Sequence, residues 1–263
     1  MRRCLILKIC VIFAFAIGCS APKTIDQRID LPTQTRLEIP GSGIALRSFR
    51  IVSDGDQLEE TLQMFGREHD DAELQTRLAE EGIALCVVDS IDVLAIAGAL
   101  GDPQEEQFNW HGQISNWRDV KQRLIPSDGM VITSRGVPYF VDHGYLTLLA
   151  RGWQLSMEMG DQLYLQLLPI WHVPNEQGVV PGRGTAPVES RIFSELMIEC
   201  ILDDGQSLLL ATVMKPEIEI FGPLDEGATG MRLGEALMGD SEEEPVVVFL
   251  VFEAHVGSGS DNW

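Results

Sequence analysis

Two stretches carry side chains able to do chemistry. In "YFVDHGYL", Asp142 stands beside His143, the pairing of an imidazole base with an orienting carboxylate that acid–base catalysis uses. The same letters suit a turn residue ahead of Gly144. In "FNWHGQISNW", Trp110, His111 and Trp117 stand among Asn and Gln, a composition that stacks on a sugar or anchors an interface. Buried indoles with a satisfied N–H explain the same letters and are the preferred reading. Neither stretch comes with a nucleophile elbow, a His-Glu-x-x-His helix, a phosphate-binding glycine loop or a Cys-x-x-Cys pair. The sequence therefore assigns no catalytic set, no cofactor and no metal. The acidic run from Asp240 to Glu244 lacks the spaced ligands and turn glycine of a calcium loop and reads as a solvated loop.

The compartment is written at the start of the chain. Arg2 and Arg3 precede an apolar stretch that ends at Ile17 and Gly18, which is the layout of an export signal over residues 1–18. The stretch is short of the roughly 20 residues a membrane-spanning helix needs. Ala16-Ile17-Gly18-Cys19 resembles the lipobox of bacterial lipoproteins, which implies cleavage ahead of Cys19 and a lipid on that cysteine. An ordinary secretory signal with Cys19 as a bystander is the alternative.

Composition bounds the rest of the chain. There are 263 residues, 45% of them apolar, and a net charge of −21; removing residues 1–18 takes away Arg2, Arg3 and Lys8 and no acid, so the remainder is more acidic still. Such a surface repels nucleic acid and anionic headgroups. Beyond residue 18 the cysteines are Cys19, Cys86 and Cys200, too few for a disulfide framework. Cys86 and Cys200 read as core thiols, with a bridge between them as the alternative.

Residues 19–43 mix Pro22, Pro32 and Pro40 with charge and a closing Gly-Ser-Gly, as an extended tether does. Residues 44–125 then predict a small α/β domain. "LRSFRIV" is a strand, "DGDQLEETLQMFG" and "DDAELQTRLAEEG" are helices, "IALCVVD" is a buried strand, and Ser90 caps a third helix, "IDVLAIAGALG". Past Gly129 the period changes to two. Trp153, Leu155, Met157 and Met159 share one face of a half-buried strand; Leu163, Leu165 and Leu167 share a face of the next, until Pro169 forces an edge or bulge. Asp204-Gly205 predicts a tight hairpin inside "ECILDDGQSLLLA". "EEEPVVVFLVFEAHV" supplies a last strand covered on both faces. The expected fold class is α+β: an α/β domain over 44–125, a mainly antiparallel two-layer β domain over 126–257, and a tail over 258–263.

Four segments in order, "GDQLYLQLLPIW", "LDDGQSLLLA", "LGEAL" and "VVVFLVF", resemble the C-terminal homology region of bacterial secretins, the ring-forming outer-membrane channels. Ala211 and Thr212 replace that family's glycines, and Leu237 its late Phe. The resemblance implies a β-fold related to the secretin core.

Together these features predict an exported envelope lipoprotein with a structural or protein-interaction role, its partners being the membrane through Cys19, a second copy, or envelope and secretion proteins. A glycan- or peptidoglycan-binding module using Trp110, His111 and Trp117 is the second reading, and a hydrolase at Asp142 and His143 the third. Mass spectrometry of the protein from its native cell should find Cys19 as the acylated first residue; an unmodified Cys19 within a longer chain would contradict this.

Overall fold

The computed structural model describes residues 41–157, 160–173, 190–214, 230–239 and 245–256. The expected export signal, Cys19, most of the expected tether, Met159, the acidic run and the tail lie outside them. The first half forms the expected elements: β1 (Gly43–Val52), α1 (Gly55–Phe65), α2 (Ala72–Glu80), β2 (Ala84–Asp89) and α3 (Val93–Leu100). Asp54 and Asp71 cap the first two helices, accepting from Gln57 N at 2.9 Å and Leu74 N at 2.8 Å. Such caps satisfy amide groups that a helix start leaves free. Ser90 does not cap α3. It opens a 3₁₀ turn, Ser90–Asp92, and its hydroxyl lies 2.6 Å from that of Ser207 instead.

Two long strands come next, β3 (Pro103–Gly112) and β4 (Ile114–Leu124), then a hairpin of β5 (Met130–Ser134) and β6 (Val137–Val141). Its turn residues, Arg135 and Gly136, both have positive φ, +53° and +71°, as a two-residue hairpin turn requires. The Glu81 carboxylate anchors that turn, accepting from Ser134 Oγ at 2.9 Å and Arg135 N at 2.7 Å. The remaining elements are β7 (Tyr145–Met157), β8 (Gly160–His172), β9 (Ser190–Ile192), β10 (Ile198–Asp203), β11 (Gln206–Met214), β12 (Met231–Arg232), α4 (Leu233–Met238) and β13 (Val246–His255).

These strands make two main antiparallel sheets. The first has the order β2-β11-β13-β1-β3; the second runs β10-β8-β7-β4, with β9 beside the far half of β8. A small third sheet joins β12, β5 and β6. The expected boundary near residue 125 is therefore absent: β1, β2 and β3 pair in one sheet with β11 and β13, and β4 pairs with β7. The described residues all lie in one compact unit. Strands from the first half cannot bury their faces alone, and the late strands supply the partners.

Two apolar layers result. Leu46, Leu208, Leu210, Leu250 and Phe252 of the first sheet meet Leu148, Leu163, Leu165, Leu167 and Leu202 of the second. On the other side of the first sheet, Phe49, Ile51, Leu209, Val247, Phe249 and Val251 meet Leu58 of α1 and Val93, Ile96 and Leu100 of α3. The central strand β13 is thus buried on both faces, as its unbroken apolar run predicts, and each such side chain contributes about 1.5–3 kcal/mol. Cys86 and Cys200 are both free and buried, and burial pushes each thiol up to about 12. They sit in different apolar layers, so no bridge joins them.

Asp204-Gly205 does form a tight turn, with Gly205 at φ +78°, but not a hairpin. β10 pairs with β8 and β11 with β13 and β2, so the turn carries the chain from one sheet to the other. Pro169 lies within β8, where the neighbour strand changes from β10 to β9. Its carbonyl accepts from Phe193 N on that side, so its missing N–H falls in the gap between the two neighbours.

Gly152 is wedged between the neighbouring strand β8 and Ile44 of the first sheet. A Cβ there would lie 2.6 Å from Tyr164 O and 2.7 Å from Ile44 Cδ1. Gly152→Ala should lower the unfolding free energy by about 1–3 kcal/mol in denaturant titration, because backbone cannot yield as a side-chain tip does; an unchanged midpoint would contradict this packing.

Candidate functional site

The periodicity in "WQLSMEM" reads out on the opposite side from the core. In β7 the core-facing residues are Leu146, Leu148, Ala150 and Gly152, all buried, so Arg151, Trp153 and Leu155 face outward from the second sheet. Met157 is 52% exposed. Apolar and aromatic side chains expected to build a half-buried face therefore stand where, among the described residues, no second layer covers them.

Cross-strand register sets what they stand beside. Arg151 is opposite Gln166, and Gln166 opposite Glu199. One row thus crosses three strands: Arg151 Nε donates to Gln166 Oε1, and Gln166 Nε2 donates to Glu199 Oε1. The Arg151 guanidinium lies 4.6 Å from the centroid of the Trp117 ring and 5.9 Å from that of Trp153, within cation–π range. Trp117 reaches it because β4 breaks register between Ile114 and Arg118, the local distortion a β-bulge produces. The next row sets Trp153 opposite Tyr164, their rings 4.9 Å apart and tilted by 54°, with Ile201 beyond, half exposed. Burial raises the pKa of the Tyr164 phenol, and the charge and hydrogen bond of Glu199 raise it further.

This face runs into a groove of about 830 Å³. Tyr164, Glu199 and Ile201 line one side, and Arg67, His69 and Asp71 line the other. The groove lies where the edge strands β2 and β10 of the two sheets look onto the same side.

The structure places Trp110 and Trp117 in different sheets. Trp110 belongs to the first sheet, opposite Ala45, and Trp117 to the second. On the first sheet's outer side, beyond the reach of α1 and α3, lies a charged patch. Glu253 is only 6% exposed and pairs with Arg47 at 2.5 Å, while His255 Nε2 stands 3.5 Å away. Trp110 meets the His255 ring edge-on at 5.6 Å, and Arg47 lies over Phe108 at 4.9 Å. His111 is the extra residue where β3 skips register against β1. Its Nε2 is buried without a hydrogen-bond partner among the described residues. Asp142 and His143 are hydrogen-bonded to each other and more than half exposed on the bend before Gly144. The fold uses the backbone there: Trp171 Nε1 donates to His143 O at 3.0 Å.

Trp153, Tyr164, Arg151 and Glu199 were not marked as site residues by sequence. Period two revealed that Trp153 and Leu155 share a face, but which face meets the core is set by pairing with distant strands. No family model matches this chain, and the curated proteins and solved structures compared with it yielded no similar one.

The charged patch carries a pH dependence. Burial alone would raise the pKa of Glu253, but the neighbouring His255 and the charge of Arg47 outweigh it, and the net shift is downward from 4.5. Burial, then Arg118, lowers the pKa of His111 below 6.5. Both folded values are depressed, so each group's contribution is complete above its ordinary value and is lost as pH falls. Urea unfolding should show stability declining on acidification, first below 6.5 as His111 must charge and then below 4.5 as Glu253 protonates. Glu253→Gln should flatten the lower limb; an unchanged profile would show that the patch is not coupled to folding.

Proposed function

We propose that this chain is an exported, lipid-anchored interaction protein of a bacterial envelope, which presents the outer face of its second sheet to a protein partner. The observation that carries the reading is the uncovered set Trp117, Arg151, Trp153, Tyr164 and Ile201, held in place by the Arg151–Gln166–Glu199 row. Trp, Tyr and Arg are enriched among the residues that dominate the binding energy of protein interfaces; Trp and Tyr bury a large rigid surface for few lost rotamers, and Arg stacks on aromatic faces. Here their geometry is set before any partner arrives, so little ordering cost remains. The lipobox at Cys19 and the tether through residue 43 support a place at a membrane surface, and the likeness to secretins supports assembly with envelope components.

The glycan-binding reading is less well supported by the same geometry. Arg151 occupies the face of Trp117, and the Trp153 and Tyr164 rings are tilted by 54° rather than coplanar. Among the described residues, this face offers a sugar no coplanar pair of Trp and Tyr rings to stack on.

A photo-crosslinking residue in place of the half-exposed Met157 should give a discrete protein adduct in the native envelope. Trp153→Ala should weaken that association by at least about 2 kcal/mol, or roughly thirtyfold, and Cys19→Ser should release the chain from the membrane fraction. An adduct indifferent to Trp153→Ala would contradict the reading, as would Trp fluorescence responding to peptidoglycan fragments alone.

A further inference from the structure

The groove beside this face holds two sheet edges, and they are finished differently. The β2 edge is closed: Arg67 N donates to Val87 O at 2.8 Å, and Val87 N donates to Arg67 O at 2.9 Å. The β10 edge is not. Glu199 O accepts from His69 at 3.2 Å, and Asp203 N donates to Gln206 Oε1 at 3.0 Å. His69 Nδ1 accepts from Asp71 N at 3.1 Å, so the ring proton is on Nε2 and the Glu199 contact is a donated bond. Both contacted groups point away from β8. In an antiparallel ladder, alternate residues direct their N–H and C=O to the same edge. Ile201, midway between Glu199 and Asp203, therefore directs both backbone groups into the groove, and no hydrogen-bonding group among the described residues meets them.

Charge narrows what fits. Glu68, Asp70, Asp71 and Glu199 line the groove, whereas the lining cation Arg67 is paired with Asp89 at 2.7 Å. A second copy of this chain, with its net charge of −21, would be repelled.

We infer that the β10 edge at Ile201 receives an extended, basic polypeptide segment of the partner by strand addition. This rests on the interaction reading and adds the chemistry of the bound segment. Main-chain hydrogen bonds to Ile201 hold the segment, as in other strand additions. Its alternate side chains meet Tyr164 and Ile201 on the outer face, while Lys or Arg side chains meet the acidic loop Glu68–Asp71. The His69 ring marks where the segment ends, because it already supplies a donor to Glu199 O.

Hydrogen–deuterium exchange of the full chain tests this, with an alternating Lys-Val peptide as probe and an alternating Glu-Val peptide of equal length as control. Millimolar Lys-Val peptide should slow exchange at the Ile201 amide, the control should not, and the double substitution Glu68→Lys with Asp70→Lys should weaken the effect at least about tenfold while leaving the melting temperature in place. Both substituted residues are exposed. Protection elsewhere only, equal protection by both peptides, or no protection would overturn the inference. If the Met157 adduct still depends on Trp153 in any of those cases, the interaction reading survives and only the strand addition falls.

Discussion

Strand β13 is apolar on both faces, and burying both of them organises the molecule. Odd-numbered residues from Val247 to Val251 meet the helices, and even-numbered ones from Val246 to Ala254 meet the second sheet. A strand of this kind cannot lie at an edge or face water. It draws β1 to one side and β11 to the other, which places strands from both ends of the chain in one sheet. The layering of helix, sheet and sheet follows from it.

The same requirement decides what is left open. Two helices cover only part of the first sheet, and where they stop the burial becomes polar, through Arg47, Glu253 and His255. The inner face of the second sheet is taken up by β13 and its neighbours. Its outer face receives no further layer among the described residues, yet it carries Trp117, Trp153 and Tyr164 around Arg151. Large apolar groups kept at a surface, and fixed there by a buried glutamine bonded on both sides, are the observation on which the proposed contact role rests.

Local physics made much of this fold legible. Asp54 and Asp71 announce their helices by cap chemistry, Leu163 to Leu167 announce a strand by alternation, and Val246 to Phe252 announce a doubly buried one. What escaped was non-local. Asp204-Gly205 dictates a turn, but whether the flanking strands pair with each other depends on partners far away, and here β8 and β13 take them. Pro103 to Leu124 is too polar to show the period of a strand, since β3 and β4 are edges with exposed side chains on both sides. The site was half legible for the same reason. Trp117 was marked by its type, whereas Trp153 was assigned to the half-buried face because period two cannot say which face of a strand looks inward.

If the Trp117–Arg151–Trp153–Tyr164 face works as a contact surface, a partner covers it in the cell. Hydroxyl-radical footprinting of the chain in its native cell, compared with the purified chain, measures that cover residue by residue. Trp117, Trp153 and Tyr164 should be protected in the cell, with the exposed Met64 and Phe140 labelled equally in both. Equal labelling of all five would contradict a covered face.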